Sequence, residues 1–494
     1  AFQAAGYATG AFGKWHNGSQ WPYHPNARGF QEYYGFTSGH WGEYFNPPLE
    51  HNGQPVRGKG FITDDLTDHA IAFIEQHKAK PFLCYVPYNT PHSPFCVPDE
   101  YWRHFEKDPI AQRGNDGDQE DLPVTRSVLA MTENLDRNVG RILRRLDELK
   151  LSDNTIVIYF SDNGPNSWRW NGGMKGRKGS TDEGGVRSPF LIRWPGRIAP
   201  GHTVPDIAGA IDLLPTLTKL AGIPRVGTKP LDGVDLSPLL FSTAHHWPDR
   251  LIFSHQGGNV SVRSPHHRFD NGGALFDMTK DPGQRTDIGA QQAGETARLA
   301  QAVEAWRRDV FGPAATEGKG TGKGGKKVAR AQAGNADNRP YPVGYREFPR
   351  TPLPARDGVP HGGVKRSAGA PNSSYFTNWT SAADSMTWDI EVHETGNYAV
   401  AINYTCAAAD VGSTIEVVFN SVTLGGKVST AWDPPLNTNE DRVPRRGESY
   451  LKDFRPLELG TMRLEAGRGQ LTLRAKQVAG KQVMDVRLVT LTLK

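Results

Sequence analysis

Along about the first 200 residues, short apolar runs alternate with stretches whose apolar positions recur at helical spacing, the pattern of a mostly parallel sheet covered by helices. Three runs predict strands: Ala8 to Phe12, Phe82 to Val86 and Thr155 to Phe160. Each is short and bounded by Gly, Pro or Asp, as buried strands tend to be. Between the last two, Leu129, Leu135, Val139, Ile142, Leu143, Leu146 and Leu149 repeat at helical spacing and predict an amphipathic helix. After Pro224 the pieces shorten to LIFSHQ, VSVRS and ALFDMTKDP, which predict a small antiparallel sheet over 225–311. Residues 312–369 are rich in Gly, Lys, Pro and Ala with almost no apolar periodicity, and are expected to be a linker. Over 370–494, runs such as MTWDIEV, YAVAINYT, TIEVVF and MDVRLVTLTL alternate between turn residues, predicting a β-sandwich of the jelly-roll kind.

Composition adds limits. The chain has 494 residues, 37% hydrophobic and 10% aromatic, enough for one large core and a second domain. Its net charge of +4 is supplied by one stretch, where Lys319, Lys323, Lys326, Lys327 and Arg330 stand against Glu317. The rest is neutral, so no nucleic-acid or membrane-surface footprint is expected. Cys84, Cys96 and Cys406 are too few and too scattered for a disulfide framework or a zinc site. No apolar run reaches the roughly 18 residues needed to span a bilayer. The first residues, AFQAAGYATGAFGKWH, have no initiator Met and no signal-type stretch, and are expected to lie inside a domain whose beginning is missing.

In open α/β sheets, ligands gather beyond the carboxyl ends of strands, so the polar residues that follow each run carry the candidate chemistry. The first run ends in Gly13-Lys14-Trp15-His16, the second leads to Asn89-Thr90-Pro91-His92, and the third ends in Ser161-Asp162-Asn163-Gly164. Asp162 and Asn163 offer hard oxygens of the kind Ca²⁺ takes, though two ligands leave a shell incomplete. A fourth element, the glycine-rich loop Gly176 to Pro189, adds cations that include Lys178. Cations and a metal around one pocket favour a tetrahedral oxyanion, and by themselves permit sulfate or phosphate ester hydrolysis.

These segments resemble the type I, formylglycine-dependent sulfatases. GYATGAFGKWH is similar to that family's second signature, FSDNGP to its distal metal-binding segment and KGSTDEGGVRSPFLIRWPG to its lysine loop. The resemblance covers roughly residues 1–311 and implies an alkaline-phosphatase-like α/β fold, its mostly parallel sheet sandwiched by helices. It implies that Lys14 and His16 contact formylglycine and bound sulfate, and that His92 contacts sulfate and protonates the leaving oxygen. Asp162 and Asn163 would form half of a calcium site, and Lys178 would be the second sulfate-binding lysine, a spacing that Lys175 fits less well. The implied partners are a sulfated glycan or other sulfate ester and a formylglycine-generating maturation enzyme, in a periplasmic or secreted setting. One departure is large: the Cys-x-Pro-x-Arg maturation signature and the paired acidic residues of the metal site are absent, and Cys96-Val97-Pro98-Asp99-Glu100 lacks the Arg. The expectation is a sulfatase domain without its nucleophile segment, inactive as it stands.

Each residue also has an ordinary explanation. Asp162 and Asn163 suit an Asx turn after a strand, a histidine in a Pro-rich loop is commonly packed or solvated, and Gly184 and Gly185 serve backbone geometry through positive φ or close approach. Ser38, His40, Trp168 and Trp170 are candidates for lining a pocket and equally for plain packing. Two rival functions remain at this stage. One is a phosphoester or phosphonate hydrolase of the same superfamily; the other is an inert, carbohydrate-binding relative whose sandwich does the binding.

Overall fold

The strand Ala8–Lys14 lies between Glu32–Phe36 and Phe82–Tyr85 and pairs in parallel with both, while Pro48–His51 and Gln54–Arg57 continue the sheet antiparallel beyond Glu32–Phe36. A strand with neighbours on both sides and cover on both faces is apolar nearly throughout, and Ala8–Lys14 is buried at every position before the final lysine. The computed structural model describes residues 1–111, 120–241, 247–312, 339–438 and 440–494.

Helix Ile62–His77 covers this sheet because Ile62, Leu66, Ala70 and Phe73 recur on one face and are all buried. Phe73 meets Phe12 of the central strand with ring centroids 5.4 Å apart; burying such a side chain contributes about 1.5–3 kcal/mol. The predicted amphipathic helix spans Leu122–Glu148. Its buried face runs through Val124, Val128, Met131 and Leu135, while Leu129 is exposed. That face also holds Asn134 and Asn138, whose amides donate to Asp64 Oδ1 at 3.1 and 2.6 Å. A purely apolar pattern cannot register such a satisfied polar pair.

The second and third runs depart from the buried strands that were expected: Phe82–Tyr85 is only partly buried, with Tyr85 exposed. Val157–Phe160 pairs antiparallel with Phe190–Arg193 in a two-stranded sheet, and Phe160, Phe190 and Leu191 are exposed, Leu191 by 64%. With no further sheet neighbour among the described residues, these side chains lack a covering layer. The small antiparallel sheet is present as Ile252–Gln256, Asn259–Arg263, His267–Phe269 and Leu275–Asp277. Its Val260, Val262 and Leu275 cluster with Leu299 and Val303 of helix Ala293–Phe311.

The C-terminal region forms two six-stranded sheets around one core, in which Trp379, Trp388, Tyr398, Tyr404 and Phe419 are fully buried. The linker expectation needs correcting from Tyr341 onward. Tyr341–Val343 pairs in parallel with Ser385–Val392, Arg350–Pro354 pairs antiparallel with Asp485–Leu493, and Val359–His361 and Lys365–Arg366 are also strands. Composition misled here because prolines are tolerated in edge strands, where no ladder donor is required of them, and because alternate positions such as Thr351 and Leu353 are buried. The basic run Glu317–Arg330 lies outside the described residues.

By its contacts the chain divides into two compact units, Ala1 with Asp108–Thr125 and Leu146–Gln332 in one, and Phe2–Lys107, Arg126–Arg145 and Ala333–Lys494 in the other. The sandwich thus shares a unit with the first sheet. Among the described residues no helix is long and apolar enough to cross a membrane.

Candidate functional site

In the unit that contains the first sheet, the polar groups beyond the strand ends come together around Gly39. Lys14 closes the central strand, its N–H donating to the carbonyl of Pro87 at 2.8 Å, which ties it to the turn that leads to His92. His16 follows with φ of 58°, a left-handed conformation that costs a non-glycine residue about 1 kcal/mol and persists only where its surroundings enforce it. The preceding Trp15 supplies that enforcement: its backbone N–H donates to Phe36 and its indole N–H to the Tyr23 carbonyl at 2.9 Å. A Cβ placed on Gly39 would stand 2.5 Å from His16 Nε2 and 3.0 Å from Asn372 Nδ2. The His16 imidazole and the Asn372 amide therefore crowd one backbone position.

His40 and His92 stack with centroids 5.2 Å apart and planes 11° from parallel. His92 Nδ1 lies 2.7 Å from the Ser93 carbonyl, and the Tyr44 hydroxyl donates to the His92 carbonyl at 2.6 Å. A carbonyl only accepts, so His92 carries a proton on Nδ1, and Nε2 is the nitrogen that gains or loses one. The C-terminal sandwich reaches into this cluster. Asn372 Nδ2 lies 2.9 Å from His40 Nδ1, Glu448 Oε1 accepts from Ser93 Oγ at 2.8 Å, and the same oxygen lies 3.7 Å from His40 Nε2. Buried polar atoms without a hydrogen-bond partner among the described residues concentrate here: Ser38 Oγ, the Asn89 amide, Ser373 Oγ and Glu448 Oε2. Such atoms are costly in a finished core and mark places where a ligand or water completes the bonding.

Long-range contacts hold the cluster. Arg445 donates to Asp441 Oδ2 at 2.8 Å, to the Ser449 carbonyl at 2.7 Å and to the Gly42 carbonyl at 2.9 Å. Arg442 donates to the Val97 carbonyl at 2.7 Å, and Arg487 pairs with Glu43 at 3.2 Å. Cys96, the superficial match to the maturation signature, is fully buried and donates to Asp441 Oδ1 at 3.0 Å. Burial, and then the neighbouring Asp441 carboxylate, push its thiol pKa well above the ordinary value. It is a structural thiol.

In the other unit, residues 161–188 form a second constellation. The Gly164 N–H donates to Gly185 at 3.0 Å and the Gly184 N–H to Lys175 at 2.7 Å. A side chain at Gly164 would strike the Gly184 carbonyl, so the paired glycines serve close backbone approach, and neither Gly184 nor Gly185 has positive φ. The buried Glu183 carboxylate anchors the loop through Arg268 at 2.7 Å, with Arg187 at 3.5 Å and Arg263 at 3.7 Å. Asp162 is exposed, and Asn163 uses its amide N–H on the Gly164 carbonyl at 2.8 Å, which leaves its side-chain oxygen as an acceptor. Two hard oxygens suit part of a calcium shell; among the described residues no cluster of three or more His, Cys, Asp or Glu gathers for a metal. Lys175 is engaged by Asp182 at 3.3 Å and Asp270 at 3.2 Å and lies over the Phe276 ring. Among the described residues no such carboxylate pair engages Lys178, whose backbone N–H donates to the Pro165 carbonyl at 2.9 Å. Trp168 is covered by the Arg177 guanidinium at 4.8 Å, and Trp170 is exposed.

The structure thus brings His16 and His92 into one cluster at the end of the strand that carries Lys14, and gathers Asp162, Asn163 and Lys178 on one loop; the two sets belong to different units. Sequence reasoning gave His40 and Ser38 no more weight than packing residues and missed Asn372 and Glu448 altogether. Nothing local marks the last two, since both sit in the region 370–494 read as a sandwich.

Residues 1–223 match the family model described as Sulfatase. Over 307 residues the chain is 32% identical to the uncharacterized sulfatase YdeN of Escherichia coli (strain K12), covering 54% of this chain and 52% of that protein. Over 375 residues it is 31% identical to arylsulfatase A of Homo sapiens, covering 61% of this chain and 68% of that protein. The crystal structure of Ps i-CgsB in complex with k-i-k-neocarrahexaose superposes with a TM-score of 0.54 at 30% identity, over 61% of this chain and 71% of that one. The chain spans about half the length of the first of these relatives. The likeness bears out the alkaline-phosphatase-like α/β fold, followed here by a strand-rich C-terminal region.

Proposed function

We propose, from the premise that this chain belongs to the sulfatase family, that it serves the hydrolysis of sulfate esters on carbohydrates. The observation that carries the reading is the histidine cluster. His92, its Nδ1 proton committed to the Ser93 carbonyl at 2.7 Å, is built to pass a proton through Nε2 to a leaving alkoxide. Lys14 and His16 hold sulfate oxygens. In the other unit, Lys178 is a candidate anion-binding ammonium. In that same unit Asp162 and Asn163 would hold half of a calcium shell, and such an ion would supply positive charge to an anion bound beside it. A carbohydrate substrate is favoured because the structure similar to this chain holds k-i-k-neocarrahexaose.

The nucleophile in this reading is a formylglycine, made by a maturation enzyme from a Cys or Ser outside these 494 residues; no Cys-x-Pro-x-Arg lies within them. Cys96 does not replace it, being buried and bonded to Asp441. The chain by itself therefore binds sulfate esters without turning them over, and the setting is periplasmic or secreted.

The test is titration calorimetry of the 494-residue chain with sulfated and with matching phosphorylated oligosaccharides, in calcium, alongside ion chromatography of released sulfate. Binding of the sulfated set, at least about tenfold weaker after Lys14→Met or His92→Ala, supports the reading. A preference for the phosphorylated set supports a phosphoester hydrolase instead. Binding of sulfated oligosaccharides that neither substitution alters would sink the assignment of these residues.

A further inference from the structure

We propose that the C-terminal sandwich is a working part of the histidine site, with Asn372 and Glu448 as positioning residues that set where the protons of His40 and His92 reside. The inference rests on the reading of His92 as a proton-handling group.

The geometry is specific. An amide nitrogen only donates, so Asn372 Nδ2 at 2.9 Å makes His40 Nδ1 the acceptor and leaves the single proton of neutral His40 on Nε2. That nitrogen faces the Glu448 carboxylate at 3.7 Å. A proton on His40 Nδ1 would instead be set against the Asn372 amide hydrogens. The stacked His92 has the opposite arrangement, with Nδ1 protonated toward the Ser93 carbonyl. Glu448 acts on this ring through Ser93: it draws the hydroxyl at 2.8 Å, while that hydroxyl lies 3.4 Å from His92 Nδ1. The two rings thus carry their protons on opposite nitrogens, His40 on Nε2 toward the Glu448 carboxylate and His92 on Nδ1 toward the Ser93 carbonyl. Two adjacent imidazoles are thereby prevented from competing for the same proton.

The sandwich is not placed here by a tether. Glu448 lies in the segment that Arg445 clamps to Asp441, Ser449 and the Gly42 carbonyl, and its side chain is only 10% exposed. Among the described residues, the charged and titratable groups near the pair include Glu448, Arg445 and Asp441 from the sandwich, and His16, Tyr44 and Cys96 from the sheet side. Tyr44 and Cys96 have raised pKa values, burial being the largest cause for both, and stay neutral.

Imidazole nitrogen NMR on the full chain, ¹⁵N-labelled at histidine, tests this directly, and its outcome is independent of whether sulfate is ever released. In the unmodified chain His40 is expected as the Nε2–H tautomer and His92 as the Nδ1–H tautomer. Asn372→Asp replaces a donor by an acceptor of the same shape and should move the His40 proton to Nδ1 or add a second one. Glu448→Gln removes the carboxylate and should lower the proton affinity of His92 by roughly tenfold, one pKa unit. Unchanged tautomers and titration in both folded variants would overturn the proposal. If one variant does not fold, the other decides, and loss of folding in both would make these residues scaffold and overturn it as well.

Discussion

The two constellations are held in different ways. Residues 161–188 are built locally: the Gly164–Gly185 and Gly184–Lys175 backbone bonds close the loop, and one buried carboxylate, Glu183, pins it to Arg268. The histidine cluster is assembled from chain segments far apart, since residues 14–16, 40 and 92 meet Asn372 and Glu448 only through the docked sandwich. A locally closed loop leaves a contiguous motif in the sequence. A cluster closed across several hundred residues does not.

The largest expected effects separate these two modes of support. Breaking a buried ion pair by removing one partner costs about 3–5 kcal/mol because the other charge is left uncompensated. Arg268→Met should therefore loosen residues 175–188 and 259–269, seen as faster amide hydrogen exchange there, with residues 40–44 and 437–451 unchanged. Arg445→Met should do the reverse, because its guanidinium joins the buried Asp441 to the Gly42 carbonyl. Faster exchange in both regions from either substitution would erase the distinction. A step lower, Gly164→Ala drives a methyl into the Gly184 carbonyl and should cost about 1–3 kcal/mol in thermal or urea unfolding; a neutral result would mean that the loop is not closely packed.

The same contrast explains what was legible. Ala8–Lys14 announced itself because a strand paired on both sides must be apolar, and the alternating runs of the sandwich core did so because one face is buried. Lys14, His16, His92, Asp162, Asn163 and Lys178 stood out as candidates because they lie at or after a predicted strand's end or in a glycine-rich loop, within segments that resemble sulfatase motifs. Tyr341–Val343 and Arg350–Pro354 were lost to their prolines. Val157–Phe160 read as buried because a run of four apolar residues does not reveal whether a neighbouring layer exists. Asn372 and Glu448 were unreadable because their importance lies wholly in what they touch.

A smaller effect probes the histidine cluster from beneath. The Tyr44 hydroxyl donates to the His92 carbonyl at 2.6 Å, so Tyr44→Phe removes one buried hydrogen bond while keeping the ring. It should cost about 0.5–1.5 kcal/mol and broaden the His92 ring signals without shifting those of the loop at 161–188. A stability loss with sharp, unmoved His92 signals would show that Tyr44 supports the fold rather than the histidine.

The smallest expected effect lies within the lysine loop, where two lysines three residues apart have been given different work. Burial opposes the charge of Lys175, but Asp182 and Asp270 outweigh it and raise its pKa above the ordinary lysine value. A raised folded pKa contributes stability that is fully present below the unfolded value of about 10.4 and lost as pH rises through the folded one. Lys175→Met should thus cost up to about 1 kcal/mol at pH 7, the scale of a partly exposed pair, and the cost should shrink in melts run above about pH 10.5. Lys178→Met, with no carboxylate pair to lose, should change stability by less than about 0.5 kcal/mol at any pH while weakening the binding of sulfated oligosaccharide. If Lys175→Met leaves stability intact and abolishes binding, the anion-binding lysine of this loop is Lys175, and its contacts with Asp182 and Asp270 are a resting state that the ligand displaces.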